Sequence, residues 1–411
     1  MQHFSSRIAR AAAGAAAALI LASCHLLAPR HGATQVQSAR YLVQPFDRLP
    51  QIADAEWRAA WPAWSASCAG AGRDARRIAW QDACQRAASV DGQDATAVKA
   101  YVQNEFDAYR IESLSLEADP LNPGAVERKL RGLITGYYEP LLQGSRAADE
   151  RFAFPLYRVP GDLVRIELAE AYPQLRGLNL RGRLDPSAGA ARVLPYWTRE
   201  QIEGQDRLRG SELVWVDDAL AAFFLQVQGS GRVQLSTGEQ IRLAYADTNG
   251  QPYRSIGRWL VEQGEMSVEQ ASLAAIREWA RAHPERLREL LNHNPSVVFF
   301  REAALGDPER GPVGALGIAL TPGYSVAVDP RFIPLGAPLI IESEHPMTGE
   351  PLVRPVLAQD TGGAIRGPLR LDLFWGFGPH AEEAAGQQRG QAAVWILVPR
   401  GQDPQALVAP N

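Results

Sequence analysis

The amino-acid sequence predicts a mainly β protein with a helical N-terminal region. In residues 46–117, apolar residues recur at spacings of three and four, which is the period of an amphipathic helix. From Gly132 onward the apolar runs are short and are bounded by Gly, Pro, Asn and Asp, which is typical of strands joined by turns. The 411 residues are 46% hydrophobic and 21% charged, which suits two or three globular domains and excludes a disordered or fibrous chain.

The beginning of the chain predicts an export signal. Two arginines within the first ten residues precede an apolar segment, residues 11–21, that is too short to span a bilayer. The small residues Ala22 and Ser23 then precede Cys24. This order resembles the lipoprotein box of bacteria, in which the cysteine is acylated and becomes the new N-terminus. The alternative is a plain secretory signal followed by an accidental cysteine.

We therefore expect residues 1–23 to be removed and residues 24–45 to form a tether. His25, rather than an Asp, follows Cys24. By resemblance to the sorting rules of Gram-negative bacteria, this indicates an outer-membrane lipoprotein that faces the periplasm. No other stretch reaches the roughly 18 apolar residues that a transmembrane helix needs.

The cysteine count agrees with an exported protein. Acylation of Cys24 leaves Cys68 and Cys84 as an even pair in an oxidising compartment. Both lie in a predicted helical stretch, residues 57–88, so a disulfide would join two helices. Two free buried thiols are the alternative.

The predicted elements define the domain boundaries. Residues 46–130 are predicted to be a helical region, 131–300 to be strands interrupted by a helical pair, 301–399 to be a β-rich portion and 400–411 to be a tail. The first predicted strands are 134–138, 213–216, 223–227 and 241–245. The helical pair covers 267–291, with a capping box at Ser267 and Gln270 and with Pro284 in the first turn of the second helix. Six further strands, 296–301, 324–328, 338–342, 352–358, 369–374 and 393–398, suggest a small barrel or sandwich.

Several classes of function lose support. The net charge is −4 without blocks of like charge, which argues against a nucleic-acid partner. Sequence motifs for nucleotide binding, zinc proteases and serine hydrolases are absent. Four histidines lie beyond the tether: His283, His293, His345 and His380. None of them is separated from another His or a Cys by a sequence spacing that is typical of metal ligands. Carboxylates therefore remain as the candidate catalytic groups.

Three aspartates stand at or beside the ends of apolar strands in the C-terminal region: Asp329, Asp360 and Asp372. Asp372 is flanked by Leu371 and Leu373, so desolvation should raise the pKa of its carboxyl, as a general acid requires. The competing interpretations are a turn residue for Asp329 and for Asp360, and for Asp372 an ion pair with a cation such as Arg366.

Two upstream motifs combine polar side chains with glycines. They are Thr135-Gly136-Tyr137-Tyr138-Glu139-Pro140 and Gln226-Val227-Gln228-Gly229-Ser230-Gly231. Such groups can bind sugar hydroxyls, and aromatic faces suit a polysaccharide groove; the ten Trp and eleven Tyr are compatible with one. Two tight turns after strands are the alternative.

Four segments occur in the order seen in the membrane-bound lytic murein transglycosylase A family. These are residues 132–140, 226–231 and 294–300 and the three-aspartate pattern, which resembles the 3D module of that family. The resemblance covers roughly residues 130–399. It implies a double-psi β-barrel domain, an inserted second β-barrel-like domain and a large groove between them.

The resemblance also implies a reaction. The enzymes of this family are lyases that cleave the β-1,4 bond between N-acetylmuramic acid and N-acetylglucosamine in peptidoglycan. The muramic C6 hydroxyl attacks its own C1 and leaves a 1,6-anhydro end. One carboxylic acid suffices, because it protonates the leaving oxygen and then accepts the proton of the hydroxyl.

Transferred residue by residue, the resemblance makes Asp372 the acid and places Asp360 beside it to tune or orient it. The glycan groove would be lined by Thr135, Tyr137, Gln228 and Ser230. The resemblance implies neither a metal nor an organic cofactor. The expected partners are peptidoglycan strands, the outer membrane through the lipid on Cys24, and enzyme complexes of the cell wall.

Two other hypotheses remain open at this point. A hydrolytic glycosidase would need a second acid about 5–10 Å from Asp372, and Asp360 is a candidate for it. A non-catalytic wall-binding lipoprotein would bind the glycan without forming a product.

Overall fold

The computed structural model describes residues 37–69, 75–116, 126–172, 175, 178–185, 187, 192–268, 270–307 and 309–408. The predicted signal, Cys24 and most of the predicted tether lie outside the described residues. Ser38–Leu114 and Arg128–Asn411 form one compact unit, to which the description below applies. Met1–Gln37 and Ser115–Glu127 form the other unit, of which only residues 37, 115, 116, 126 and 127 are described.

The described part is mainly β, as predicted. Its strands are β1 (Gln37–Gln44), β2 (Phe106–Leu116), β3 (Val126–Lys129), β4 (Gly132–Glu139), β5 (Leu141–Ser145), β6 (Phe154–Tyr157), β7 (Val164–Arg165), β8 (Arg181–Asp185), β9 (Arg192–Pro195), β10 (Glu212–Val216), β11 (Ser230–Leu235), β12 (Gln240–Thr248), β13 (Val298–Ala303), β14 (Ser325–Ala327), β15 (Pro338–Glu344), β16 (Pro351–Asp360), β17 (Leu371–Phe377) and β18 (Arg389–Pro399).

Helices pack around these strands. They are α1 (Asp54–Ala69), α2 (Ala75–Ala87), α3 (Ala95–Glu105), α4 (Arg199–Gln205), α5 (Ala219–Gln228), α6 (Ile256–Glu262), α7 (Leu273–Ala282), α8 (Leu287–Asn292), α9 (Gly378–Gln387) and α10 (Pro404–Leu407). Within the described residues, no helix is both long enough and apolar enough to cross a membrane.

The predicted helical region is correct for α1 to α3 and wrong beyond them. Cys68 and Cys84 form a disulfide that joins α1 to α2, so that prediction is confirmed. After Glu105 the chain becomes strand β2, because Phe106 and Ala108 are buried on one side while Asp107 and Tyr109 are partly exposed, which is a period of two. β1 likewise occupies residues that were predicted to belong to the tether.

Nine strands form the larger sheet, in the order β1-β2-β18-β15-β16-β14-β17-β4, with β3 beside β2. β4 also pairs with β18, so the path of pairings from β18 through β15, β16, β14, β17 and β4 returns to β18. The apolar faces of these strands and of α1 to α3 share one hydrophobic core.

The chain leaves the larger sheet after β4 and returns to it at β14. In between it builds a six-stranded sheet, β13-β12-β11-β5-β10-β6, and a three-stranded sheet, β7-β8-β9. The predicted strand at 296–301 belongs here rather than to the C-terminal portion, since Phe300 of β13 pairs with Tyr245 of β12.

The predicted strand at 223–227 is wrong, because these residues lie in helix α5. Asp218 caps its beginning by accepting the backbone N–H of Ala221, and Gly229 ends it in the left-handed conformation. A five-residue run with four apolar residues fits either structure, and the two caps decide between them.

The helical pair is confirmed with a shifted start. Ser267 and Gln270 make the reciprocal hydrogen bonds of a capping box, but α7 begins only after Ser272. Pro284 opens a short 3-10 turn that leads into α8, as predicted.

Candidate active site

Two of the three predicted aspartates lie in one row across the larger sheet. Ala327 of β14 pairs with Asp360 of β16 on one side and with Asp372 of β17 on the other. Asp372 in turn pairs with Thr135 of β4. Directly paired residues project from the same face of a sheet. We call these four residues, Asp360, Ala327, Asp372 and Thr135, the acid row.

Burial and one donor determine the state of Asp372. Its carboxyl is partly buried, and Thr135 Oγ1 donates a hydrogen bond of 2.5 Å to its Oδ1. Desolvation raises the pKa of Asp372 to about 6, although the Thr135 hydroxyl and the positive charge of Arg370 act in the opposite direction. Such a carboxyl is protonated in part near neutral pH and can donate a proton.

Asp360 is held more tightly than Asp372. Its Oδ1 accepts the backbone N–H of Ala315 at 2.9 Å, and its Oδ2 accepts the Tyr137 hydroxyl at 2.9 Å. Burial raises the pKa of Asp360 in spite of these donors. Because both of its oxygens accept hydrogen bonds from the protein, the carboxyl of Asp360 is fixed in orientation and in turn positions Tyr137.

Tyr137 donates a hydrogen bond to Asp360 and lies near enough to Asp372 to be affected by its charge. It follows Thr135 by two residues on β4 and therefore lies on the same face. Burial and the nearby carboxylates of Asp360 and Asp372 raise the pKa of its hydroxyl well above the usual value, so it remains a hydrogen-bond donor. Between these residues, a Cβ on Gly136 would lie 2.7 Å from the Trp375 ring, so only glycine permits this packing.

Asp329, the third aspartate, is not part of the acid row and has a structural role. Its buried carboxylate bonds with the Arg331 guanidinium, at 2.6 Å for the shortest contact, and with the backbone N–H of Gly367. Burial alone would raise the pKa of Asp329, but these hydrogen bonds outweigh it and lower the pKa. Asp329 therefore fixes the loop that follows Asp360.

The two predicted residues of the second polar motif are not in direct contact with the acid row. Gln228 ends α5, and its Oε1 accepts the backbone N–H of Tyr138, so it lies beside β4. Ser230 is buried at the start of β11 opposite Ala244. In the part of the chain that the structure describes, no hydrogen bond joins either residue to Asp372.

Sequence reasoning missed two buried polar groups near the site. Glu139 is fully buried and takes hydrogen bonds from Arg232 and Arg242, at 2.9 and 2.7 Å for the closest pairs. Gln359 is also fully buried and donates to Ala63 O and to Ser67 Oγ of α1, each at 2.8 Å. A polar residue at or next to the end of an apolar strand was the available signal for both.

Among the described residues, no group of three or more His, Cys, Asp or Glu side chains could hold a metal ion. The acid row offers proton transfer by a carboxyl in a partly desolvated place.

The chain is similar to proteins of known family. Residues 133–301 match the MltA specific insert domain, and residues 324–398 match the 3D domain. Over 304 residues the chain is 31% identical to membrane-bound lytic murein transglycosylase A of Vibrio cholerae, which covers 72% of this chain and 73% of the relative. The chain belongs to the membrane-bound lytic murein transglycosylase A family.

Solved structures of the family share the fold. The crystal structure of MltA from Neisseria gonorrhoeae has a TM-score of 0.70 and 33% identity, with 92% of this chain and 95% of that chain covered. The structure of E. coli MltA with bound chitohexaose has a TM-score of 0.58 and 25% identity, with 87% and 94% covered. The matched 3D domain contains all three aspartates of the sequence pattern.

Proposed function

We propose that this protein is a lytic transglycosylase that cleaves the β-1,4 bond between N-acetylmuramic acid and N-acetylglucosamine in peptidoglycan. The observation that carries the proposal is Asp372, a partly buried carboxyl with a pKa of about 6 in the acid row. The names of the relatives support the substrate class, as does the chitohexaose bound to a family member.

In the proposed mechanism, Asp372 donates its proton to the glycosidic oxygen while the bond from that oxygen to C1 breaks. The resulting carboxylate accepts the proton of the muramic C6 hydroxyl as its oxygen bonds to C1. The product has a 1,6-anhydro end, no water is consumed, and Asp372 returns to its protonated state. Asp360 and Tyr137 hold the row in place, and Thr135 orients the acid; Gln228 and Ser230 are proposed to contribute to the glycan groove.

The bonding of Asp360 favours this lyase over a hydrolase. Two strand spacings separate Asp360 from Asp372, so their Cα atoms lie about 10 Å apart, and Asp360 is the candidate for the second acid that a hydrolase needs. A hydrolytic base must also accept a hydrogen bond from water, and each oxygen of Asp360 already uses one of its acceptor positions on the protein.

Product analysis tests the reaction. Mass spectrometry of digested murein should show 1,6-anhydromuramic ends, and reducing ends alone would contradict the lyase. Asp372→Asn should abolish cleavage while murein binding persists. Its melting temperature at neutral pH should not fall, because the substitution removes a carboxylate that burial disfavours. If the Asp372→Asn enzyme remains active, another residue must be the acid.

The proposal extends to the architecture and the location. The pairing path that returns to β18 supports a six-stranded double-psi barrel, and the sheets built between β4 and β14 support an inserted domain, with the glycan groove between the two. The family name supports attachment to a membrane, which we propose occurs through a lipid on Cys24 at the outer membrane.

A further inference from the structure

Arg389 extends the acid row by one strand. It is the first residue of β18 and pairs with Thr135 of β4. Paired residues share a face, so Arg389 projects from the same face of the sheet as Thr135 and Asp372. Two strand spacings place its Cα about 10 Å from that of Asp372, within reach of a ligand that is bound at the acid.

The charge of Arg389 is not used within the described part of the protein. The side chain is exposed, and no described carboxylate, carbonyl or aromatic ring contacts it. The two acidic residues of α9, the helix that precedes Arg389, have other partners, since Glu382 pairs with Arg277 and Glu383 accepts a hydrogen bond from Gln387. Arg370, two residues before Asp372, donates to Leu371 O. The guanidinium therefore remains available to an anionic ligand.

We propose that Arg389 binds a carboxylate on the substituent of the muramic acid whose C1 reacts at Asp372. This inference rests on the proposed function. Muramic acid differs from N-acetylglucosamine by a lactyl ether on C3, which belongs to the same sugar ring as the reacting carbon C1. The carboxylate is the free lactyl group in strands without peptide, and a carboxylate of the stem peptide in strands that carry peptide. A guanidinium binds either one with two parallel hydrogen bonds.

Binding to three ligands tests the assignment. Peptide-bearing glycan strands, peptide-free strands with a free lactyl carboxylate, and uncharged chitohexaose are titrated by calorimetry in an Asp372→Asn background, which prevents turnover. Arg389→Gln should weaken binding of carboxylate-bearing strands on the order of tenfold, the scale of one charge-assisted hydrogen bond, and leave chitohexaose unchanged. The kind of strand that loses affinity shows whether Arg389 binds the lactyl carboxylate or the peptide carboxylate.

Two further variants complete the design. Arg389→Lys keeps the charge without the planar fork and should restore part of the affinity. Arg48→Gln, an exposed arginine in a short turn after β1, is the matched control and should bind all three ligands normally. Equal losses for chitohexaose and for the charged strands, or no loss for any ligand, would overturn the role of Arg389.

Turnover separates this inference from the proposed function. With Asp372 restored, Arg389→Gln should raise KM for carboxylate-bearing strands while kcat and the anhydro product stay nearly unchanged. If the unsubstituted enzyme forms no anhydro ends, the proposed function fails. If it forms them and Arg389→Gln leaves KM unaltered, only the role of Arg389 fails.

Discussion

The hydrogen bond from Thr135 to Asp372 adjusts the pH range in which this carboxyl can act as an acid. The Thr135 hydroxyl stabilises the charged form of the carboxyl, whereas burial destabilises it, and burial has the larger effect on the pKa. A reaction that requires the protonated acid should proceed below a pH of about 6 and slow as pH rises above it.

Thr135→Val should move this break in the pH profile upward. Loss of the hydroxyl removes a donor that favours the carboxylate, so the pKa of Asp372 should rise by about one to two units, the equivalent of one hydrogen bond to a charged group. The measurement is kcat/KM against pH on glycan strands. Thr135→Ser keeps a donor and should leave the break near its original position. A break that moves downward in Thr135→Val would refute this account of the acid.

At the scale of elements, a buried ionic group joins β4 to the six-stranded sheet. Glu139 ends β4, while Arg232 and Arg242 lie on β11 and β12. Both arginines also donate to Arg310 O, so the segment that leads back to β14 is held at the same point. This group fixes the place where the chain passes from one sheet to the other, four residues after Thr135.

Glu139→Gln should destabilise the fold strongly. It leaves two buried guanidinium groups without their counter-charge, which costs about 3–5 kcal/mol of unfolding free energy in comparable buried pairs. Denaturant unfolding at neutral pH measures the loss. Glu302→Gln is the control, since its pair with Arg146 has side chains 40% and 43% exposed, and it should cost less than about 1 kcal/mol. Equal losses for the two variants would show that the buried group has no special role.

At the scale of the whole molecule, the proposed reaction depends on where the protein is held. Peptidoglycan strands cannot diffuse to the enzyme, so an anchor that limits the enzyme to the cell-wall side of a membrane raises its local concentration at the substrate. The segment that resembles a lipoprotein box and ends in Cys24 is the feature of the sequence that predicts such an anchor.

Cys24→Ala should release the protein from the membrane fraction. A single lipid-modified residue at the N-terminus would be lost, while the acid row remains intact, so the released protein should still cleave purified murein. Fractionation followed by immunoblotting measures the first effect and digestion of murein the second. A Cys24→Ala protein that stays with the membranes would reject the lipoprotein assignment.

Local patterns in the sequence were sufficient for much of this protein. The alternation around Asp372 predicted a desolvated carboxyl, and the pKa shift has the predicted direction and main cause. The C-terminal strands, the helices that carry Cys68 and Cys84 and the disulfide between them also followed from the sequence, because each depends on a periodicity or on a count of cysteines. The strand prediction at 223–227 failed because a run of five residues, four of them apolar, is too short to show a distinct period.

Only the tertiary structure decided which distant residues meet. The sequence separates Thr135 from Asp372 by 237 positions, and strand register alone places them side by side, with Ala327 between the two aspartates. The tertiary structure also gives Asp329 a structural role, through its hydrogen bond with Gly367. The register of β18 on β4 places Arg389 at the end of the acid row. The physical reason is that hydrophobicity and turn residues specify each strand locally, whereas pairing across a sheet depends on the packing of all strands at once.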